Sequence, residues 1–481
     1  MSTTDEVIPS ARRLVRSLRD MGYDFTTAVA DLVDNSLEAN ATVVSINVEF
    51  DGDNSWVRIA DNGRGMLENE LIEAMRYGSD REYNEQSLGK FGLGLKTASM
   101  SQCQRLTVAS RTDREHTDIV ARCWDFEYIE STDKWEVLRI AQQDLDQAIR
   151  KELENTTGTV VFWQKLDRIL GYKHPYGENA RRRLSTMCRD LEIHLAMVFH
   201  KFLVGEIPGK QFKIYLNGNE VKAWDPYACT EPKTQHLSPI CISCEYEDIT
   251  ADIILEPYIL PPRDDFSSRD AWENASGPKK WNQQQGFYVY RNGRMIQSGG
   301  WSRLRTPDEH TKLARIGLSF SPVLDEAFKI NVSKMRVYLP AQIRDQVENA
   351  VEPIVRMART TYDNPSRSGQ TISHIGNRQT SQIPNQRESI VSPHPNEGTV
   401  SVNPLIGSGQ GPVTAPFSYV APQDSENITA SVTRTEDPNS NLQLWTLDQI
   451  MEKISEIAEP EELPVITRVF HRLRSNLSLY S

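Results

Sequence analysis

Three polar residues, Asp31, Asn35 and Glu38, recur at helical spacing within the segment AVADLVDNSLEANAT. Spaced four and three residues apart, they lie on one face of a helix whose other positions are mostly apolar. Carboxylate and amide oxygens are hard ligands that suit Mg²⁺, and a carboxylate beside a bound phosphate orients or deprotonates water. A solvated helix face has the same composition, so the stripe alone does not decide between the two interpretations.

A further carboxylate, Asp61, ends the apolar stretch in IADNGRGM and is followed by Gly63 and Gly65. A buried carboxylate at the end of a strand can accept a hydrogen bond from an amino group, such as the exocyclic amine of adenine. The two glycines allow the backbone to turn and to approach a ring closely. An ordinary turn after a strand has the same residues, and taken alone this is the simpler interpretation.

A glycine-rich segment, GKFGLGLKTAS, carries Gly89, Gly92, Gly94 and Lys96. Amide N–H groups of such a segment, at the start of a helix, can bind anionic oxygens, and Lys96 adds a positive charge. It is not a Walker loop, because Leu95 separates the last glycine from the lysine. Flexible loops share this composition, so the segment alone is a weak signal.

The order of these motifs, followed by Thr159 at the start of the strand in TTGTVVFW, resembles the GHKL ATPase superfamily. This superfamily groups gyrase B, heat-shock chaperones, histidine kinases and MutL. The resemblance covers roughly residues 10–200. It implies an α+β fold whose first part is a two-layer α/β sandwich of the Bergerat type, with ATP and Mg²⁺ as cofactors.

The resemblance also implies roles for individual residues. Asn35 would hold Mg²⁺, and Asp61 would bind the adenine amine. Gly63 and Gly65 would let the chain approach the base, and Thr159 would support the same hydrogen-bond network.

The phosphates would be wrapped by a lid formed by Gly89, Gly92, Gly94 and Lys96. Asp31 occupies the place where hydrolytic relatives carry a glutamate as general base. Aspartate has the same chemistry but is one methylene shorter, so we expect slow hydrolysis.

A second block of predicted strands follows, the last of them over AFKINVSKMRVYL (327–339), and a predicted helix over AQIRDQVENAVEPIVRMARTTYD (341–363) closes it. Within this block, GFYVYRNGRMIQSGG and AFKINVSKMRVYLP resemble segments of MORC-type proteins. In this superfamily a transducer domain offers a lysine to the γ-phosphate when two subunits clamp together. Lys334 is the candidate and Lys329 the runner-up, although both are also typical of exposed strand lysines. Histidine kinases lack such a domain, and the wording of the MutL glycine lid is absent. We therefore expect a MORC-like transducer.

Composition divides the chain into an ATP-binding domain (1–205), a mixed α/β transducer-like domain (206–363), a disordered linker (364–440) and a helical C-terminal segment (441–481). The linker is rich in Ser, Pro, Asn and Gln, which bury too little apolar surface to fold. The C-terminal segment regains helical periodicity and could bind a protein partner.

The net charge of −12, from 54 basic and 66 acidic residues, does not indicate nucleic acid, although a local basic patch is compatible with it. The sequence contains neither an export signal nor an apolar run of 18 residues, which predicts a cytoplasmic protein without a membrane span. Cys229, His236, Cys241 and Cys244 could form a zinc site. Their place in a predicted strand favours core thiols instead.

Taken together, the sequence predicts a magnesium- and ATP-dependent clamp that forms homodimers and hydrolyses ATP slowly. The likeness to MORC-type proteins suggests DNA-linked or anti-phage defence roles. An ATP sensor that dimerises without hydrolysis is the alternative, and an α/β protein that binds no nucleotide is a third.

Overall fold

The computed structural model describes residues 8–20, 23–78, 94–112, 118–171, 174–330 and 337–364, with two short strands at 429–430 and 445–446. The chain divides into two compact units, Met1–Ile383 and Pro384–Ser481. The first unit contains two sheets with their helices, and the second contains the antiparallel pair of short strands. Apart from those strands, the linker predicted at 364–440 and the helical segment predicted at 441–481 lie outside the described residues, except for Asn364.

Eight strands form the first sheet, in the order β5-β4-β3-β6-β2-β1-β7-β8. All neighbouring strands are antiparallel except β1 and β7, which are parallel. Their bounds are β1 (Val43–Glu49), β2 (Trp56–Asp61), β3 (Arg105–Arg111), β4 (Val120–Asp125), β5 (Leu138–Arg139), β6 (Gly158–Gln164), β7 (Lys213–Leu216) and β8 (Asn219–Glu220).

The last two strands of this sheet lie beyond the boundary predicted at residue 205, which stays a prediction. Strand β7 pairs with β1, with Val43 opposite Lys213, and β8 extends the sheet further. Strand pairing across such a long connection leaves no local pattern in the sequence.

Helices cover this sheet mainly on one face. Alternate strand residues such as Ile59 and Val108 join the helical core on that face, while Ala60 and Ala109 pack towards α6 on the other. The helices are α1 (Ala11–Arg19), α2 (Phe25–Glu38), α3 (Glu68–Met75), α4 (Gly94–Met100), α5 (Phe126–Thr132), α6 (Gln147–Leu153), α7 (Glu178–Val198) and α8 (His200–Leu203).

Helix α2 starts at a strong cap and is buried along most of its length. The Asp24 side chain accepts a hydrogen bond from the backbone N–H of Thr27 at 2.7 Å, which satisfies one of the unpaired donors of the first turn. Apolar residues such as Val29 and Leu32 then pack into the core. The helix is followed by Asn40 at φ 59°, a conformation that asparagine tolerates.

The second sheet is mixed and is covered on one face by the long helix that the sequence predicts at its end. Its order is β10-β11-β14-β12-β13, with β9 paired to β11. The elements are β9 (Gln235–His236), β10 (Ile240–Tyr246), β11 (Ile249–Ile259), α9 (Arg269–Ala275), α10 (Lys280–Gln284), β12 (Gly286–Arg291), β13 (Arg294–Ser298), β14 (Ala314–Phe320) and α11 (Ala341–Asp363).

The predicted fold class, a two-layer α/β sandwich followed by another α/β region, is confirmed. The strand predicted over 327–339 is not seen in its described parts, which are a turn up to Ile330 and irregular chain from Val337. Among the residues that the structure describes, no helix combines the length and apolar character needed to cross a membrane.

Candidate functional site

Helix α2 carries the first group of candidate residues, and its polar stripe changes from buried to exposed along the helix. Asp31 is only 3% exposed, whereas Asn35 and Glu38 are exposed. Asp34, which the sequence did not single out as a site residue, is 1% exposed. The N-terminal part of the stripe is therefore not a solvated face, because carboxylates buried to this degree need a compensating partner.

That partner is Arg294, at the start of β13 in the second sheet. Its Nε donates a hydrogen bond to Asp34 at 2.8 Å, and its Nη2 lies 3.7 Å from Oδ1 of Asp31. All three side chains are at most 4% exposed. A cation from the second sheet thus forms ion pairs with two buried carboxylates of α2.

Two further residues lie close to Asp31. Burial and, next, the Asp31 carboxylate raise the pKa of Tyr23, so this phenol stays protonated beside the carboxylate. Gly94, where α4 begins, is also near, because a methyl group on it would lie 4.0 Å from Oδ2 of Asp31. The structure therefore brings the end of the glycine-rich segment next to the candidate base.

Asp61 ends β2 and receives three hydrogen bonds. The backbone N–H groups of Gly63 and Thr159 donate to Oδ1 at 2.9 and 3.3 Å, and the hydroxyl of Ser36 donates to Oδ2 at 3.1 Å. Burial raises the pKa of Asp61, and the three hydrogen bonds oppose this shift. The carboxylate is thereby fixed at the junction of β2, β6 and α2.

The glycines around Asp61 are required by close approaches of the backbone. Gly65 has φ +67°, and a methyl group on it would lie 2.0 Å from the carbonyl oxygen of Arg111. Gly158 has φ +138°, and its methyl group would lie 1.8 Å from the carbonyl oxygen of Asp61. Both positions exclude a side chain on steric grounds. The sequence predicted an approach of Gly65 to a ring, and the neighbour seen here is backbone.

Thr159 belongs to a second layer of hydrogen bonds through Ser110, a residue that sequence reasoning missed. The two hydroxyl oxygens are 3.0 Å apart. Ser110 also donates to the carbonyl of Gly158 and accepts from the N–H of Met66, both at 2.8 Å. It therefore ties β3 to β6 and to the loop after Asp61. No sequence pattern marks such a serine within a strand.

A cavity of about 420 Å³ is lined by the loop that follows Asp61, although Asp61 itself is not among its lining residues. Its wall includes Asn62, Gly63 and Gly65 from the loop after β2, Ala39 after α2, and Thr157 before β6. This volume falls within the range of small-ligand sites, which is about 300–1,000 Å³. The segments that hold Asp61 thus also form the wall of a ligand-sized space.

The predicted lid is only partly described. Gly89 and Gly92 lie outside the described residues, whereas Gly94 begins α4. Lys96 is 2% exposed, and its Nζ donates to the carbonyl oxygen of Ala74 at 3.1 Å, near the end of α3. Burial lowers the pKa of Lys96 to about 8. The sequence predicted a phosphate-facing cation here, and the structure adds a buried contact with α3.

Comparison with known proteins agrees with this geometry. A family model described as histidine kinase-, DNA gyrase B- and HSP90-like ATPase matches residues 23–159, a stretch that begins at Tyr23 and ends at Thr159. The chain contains a GHKL-type ATPase domain. The predicted superfamily is thereby confirmed.

The GHKL domain has relatives among proteins described as DNA mismatch repair protein MutL. One from Haemophilus influenzae is 24% identical over 276 residues, covering 56% of this chain and 38% of that protein. One from Shewanella woodyi is 25% identical over 288 residues, covering 56% and 39%. A shorter match in Pseudoalteromonas translucida is 38% identical over 96 residues, covering 18% and 15%.

The chain spans about two fifths of the length of the first two relatives. The glycine-lid sequence had argued against MutL, whereas these relatives are described as MutL proteins. The leaning towards MORC-type proteins stays a prediction.

Of the two lysines predicted to sense phosphate, the structure describes Lys329. Lys334 lies outside the described residues. Lys329 is exposed in a turn, at φ 49°, and its backbone N–H donates to Glu326. In the described contacts, the cation of the second sheet that pairs with α2 is Arg294. It lies in GFYVYRNGRMIQSGG, a segment that the sequence analysis noted for its resemblance to MORC-type proteins and not for any site residue.

The four residues considered for zinc do not form a metal-binding group within the described part of the chain. Cys241 and Cys244 both lie in β10, where Cys244 is buried and Cys241 is exposed. Side chains three apart on a strand point to opposite faces, which separates the two sulfurs.

Proposed function

We propose that the chain is a magnesium-dependent ATPase whose GHKL domain binds ATP, and that ATP binding brings two copies together as a clamp. The observation that carries this proposal is the Asp61 carboxylate, which is fixed by three hydrogen bonds at the start of a loop that lines a ligand-sized cavity. Membership of the GHKL superfamily supports ATP as the ligand.

The adenine end of the ligand is assigned to Asp61. An ionised carboxylate accepts a hydrogen bond from the exocyclic amine of adenine, and a carboxylate that is already oriented loses little entropy on binding. Gly63 and Gly65 line the cavity next to this carboxylate's loop, and Thr159 supports the same network. These contacts select adenine over a base that presents an acceptor at the same place.

The phosphate end is assigned to the exposed side of α2 and to the lid. Asn35 presents an amide oxygen, a ligand that suits Mg²⁺, on the exposed part of the polar stripe. A bound Mg²⁺ would neutralise phosphate charge. Gly89, Gly92, Gly94 and Lys96 would surround the phosphates with amide and ammonium donors.

Hydrolysis is assigned to Asp31 as the general base, with Lys334 or Lys329 neutralising charge on the γ-phosphate. The shorter side chain of aspartate reduces its reach to the attacking water, which makes turnover slow. Three measurements on the full chain test these assignments: Mg-ATP binding by calorimetry, the same for Asp61→Asn, and ATP turnover for Asp31→Asn. Binding by the wild type that is untouched by Asp61→Asn would contradict the adenine assignment.

A second candidate function is an ATP sensor that dimerises without hydrolysis. The proximity of Arg294 to Asp31, at 3.7 Å, favours it, because a neighbouring cation makes a carboxylate a weaker base. Equal and near-zero turnover for the wild type and Asp31→Asn, with ATP binding intact, would select this function over the enzyme.

The clamp itself is tested by light scattering with a non-hydrolysable ATP analogue and Mg²⁺. A shift from monomer to dimer on adding the analogue is expected, and a mass that stays monomeric contradicts the clamp. We also propose that the second α/β region is a MORC-like transducer and that the protein has a DNA-linked or defence role in the cytoplasm. The segment at 441–481 would bind a protein partner.

A further inference from the structure

The ion pair between Arg294 and helix α2 joins parts of the chain that are far apart in sequence. Arg294 and Asp34 are separated by 260 residues and meet at 2.8 Å, with both side chains buried. Asp31 lies one helical turn before Asp34, and its Oδ1 is 3.7 Å from Nη2 of Arg294. This distance is that of an ion pair and is longer than a hydrogen bond. Arg294 therefore forms a hydrogen bond with Asp34 and a longer ion pair with Asp31.

Two buried carboxylates one turn apart repel each other unless a cation lies nearby. The fork of a guanidinium presents several donors in a fixed plane, so it can bind one carboxylate and attract a second at once. Hydrogen bonding to Asp34 fixes the plane of Arg294, and the charge of Arg294 then acts on Asp31. The orientation of Asp31 thus depends on a residue outside the GHKL domain.

The surroundings of Arg294 hold it in this position. It follows the two-residue turn of the β12–β13 hairpin, in which Asn292 and Gly293 have φ 49° and 80°. A methyl group on Gly293 would lie 2.4 Å from Cδ1 of Ile207, so the turn packs tightly against the segment after α8. The guanidinium carbon of Arg294 also lies 5.9 Å from the ring centre of Phe199.

The other end of the same hairpin carries a second buried arginine with a different partner. Arg291 binds Asp325 through Nε at 2.7 Å and through Nη2 at 2.8 Å, and both side chains are 4% exposed. This pair links the hairpin to the turn after β14. Two arginines of equal burial therefore flank one turn, and the acids that pair with them lie on α2 for Arg294 and in the second-sheet region for Arg291.

We propose that Arg294 is a positioning residue for ATP hydrolysis, which holds Asp31 through its ion pairs with Asp34 and Asp31, so that turnover depends on the β12–β13 hairpin while nucleotide binding does not. This inference rests on the proposed hydrolysis of ATP by the GHKL domain. Adenine recognition at Asp61 uses Ser36, Gly63 and Thr159, none of which contacts the hairpin in the hydrogen bonds described above.

The test compares Arg294→Lys with Arg291→Lys in the full chain. Lysine keeps the charge but loses the fork. Steady-state kinetics give kcat and KM, and calorimetry with a non-hydrolysable ATP analogue gives Kd. For Arg294→Lys we expect kcat to fall by about tenfold to a hundredfold, because a small displacement of a catalytic group has effects of this size. Kd should stay within about twofold, because ground-state binding is not altered.

For Arg291→Lys we expect kcat and Kd close to those of the wild type, with thermal unfolding recorded for both variants. An unchanged kcat in Arg294→Lys overturns the inference, as does an equal fall in both variants, which would indicate a general effect of the hairpin. A wild type that binds the analogue but turns over no ATP overturns the proposed hydrolysis, and this inference with it.

If Arg294→Lys proves unfolded at the assay temperature, Asp34→Asn alters the same contact from the other side. It leaves the charge of Arg294 beside Asp31 but weakens the bond that fixes the guanidinium plane. A lower kcat with unchanged Kd supports the positioning role, and an unchanged kcat counts against it.

Discussion

Asp61 and Thr159 are joined by a backbone-to-carboxylate hydrogen bond of 3.3 Å across 98 residues of sequence. The same carboxylate receives the hydroxyl of Ser36 and the N–H of Gly63. One side chain therefore connects a helix and two strands. Burial also raises the pKa of Asp61, which means that its ionised carboxylate destabilises the folded protein. A ligand that donates a hydrogen bond to the carboxylate can offset this cost.

Asp61→Asn should weaken ATP binding while leaving the free energy of unfolding nearly unchanged. The amide keeps the shape and can still accept the N–H bonds of Gly63 and Thr159, but it offers no charge to the adenine amine. We expect ATP affinity to fall by about ten- to a hundredfold, the equivalent of losing one charge-assisted hydrogen bond. The free energy of unfolding should not drop by more than about 1 kcal/mol, since the buried charge is removed. Calorimetry and urea unfolding measure the two, with exposed Asp53→Asn as the matched control.

The raised pKa of Asp61 also predicts a pH dependence. Above the folded-state pKa the ionised carboxylate costs stability in full, and this cost disappears as the pH falls through that pKa towards the unfolded value. ATP affinity should change in the opposite sense, because the ligand needs the ionised form. We expect affinity to fall on acidification in the wild type. Asp61→Asn, assayed at the same pH values, shares the titration of ATP itself and should lack the additional loss.

Two glycines with similar backbone angles allow steric crowding to be measured apart from backbone strain. Gly65 and Gly78 have φ +67° and +70°. A methyl group on Gly65 would meet the Arg111 carbonyl oxygen, whereas one on Gly78 would meet no atom of the part of the chain that the structure describes. Gly78→Ala should cost about 1 kcal/mol of unfolding free energy. Gly65→Ala should cost at least about 3 kcal/mol, because the loop must also move. Denaturant unfolding compares them, and equal costs would contradict the crowded loop.

The hydroxyl of Thr159 should contribute to stability and to ATP binding separately from its backbone N–H. Thr159→Val retains the N–H that binds Asp61 but removes one of the three hydrogen-bond partners of the Ser110 hydroxyl. We expect it to destabilise the fold by about 1 kcal/mol and to weaken ATP binding severalfold. Thr159→Ser should restore both. A serine variant that behaves like valine would show that the methyl group, and not the hydroxyl, matters.

Lys96 predicts a change in stability on the alkaline side. Burial lowers its folded-state pKa from 10.5 to about 8, so the unfolded chain binds more protons between these values. Unfolding free energy should therefore rise with pH across this window, and below it the cost of the buried ammonium is present in full. Lys96→Met should lack this rise. The difference between the two denaturation series isolates Lys96 from other groups that titrate in the same range.

Local patterns in the sequence were sufficient for much of the first sheet and for the surroundings of Asp61. The alternation in β1 and β2, the Asp61-Gly63-Gly65 spacing and the Gly158-Thr159 step each depend on neighbours in the chain, so they could be predicted. The same applies to α11, whose predicted bounds of 341–363 are those observed. Fold class and superfamily followed from these elements.

What the sequence did not predict depends on contacts between distant segments. Arg294 and Ser110 have no periodic or spacing signal, and the role of each becomes visible only when strands and helices pack. The pairing of β7 with β1 is of the same kind. Lys96 was predicted to be a cation for phosphates, but its burial against Ala74 depends on how α4 packs on α3.

The separation between Asp34 and Arg294 has a consequence for the order in which the protein is made. Translation proceeds from the N-terminus, and α2 leaves the ribosome 260 residues before the guanidinium that compensates its buried acids. Until then, the carboxylates of Asp31 and Asp34 are more stable in water than buried without a cation. Helix α2 of the nascent chain therefore packs stably on the first sheet only after the β12–β13 hairpin has been made. A ribosome stalled before residue 294 would hold a chain whose α2 is still exposed to proteases.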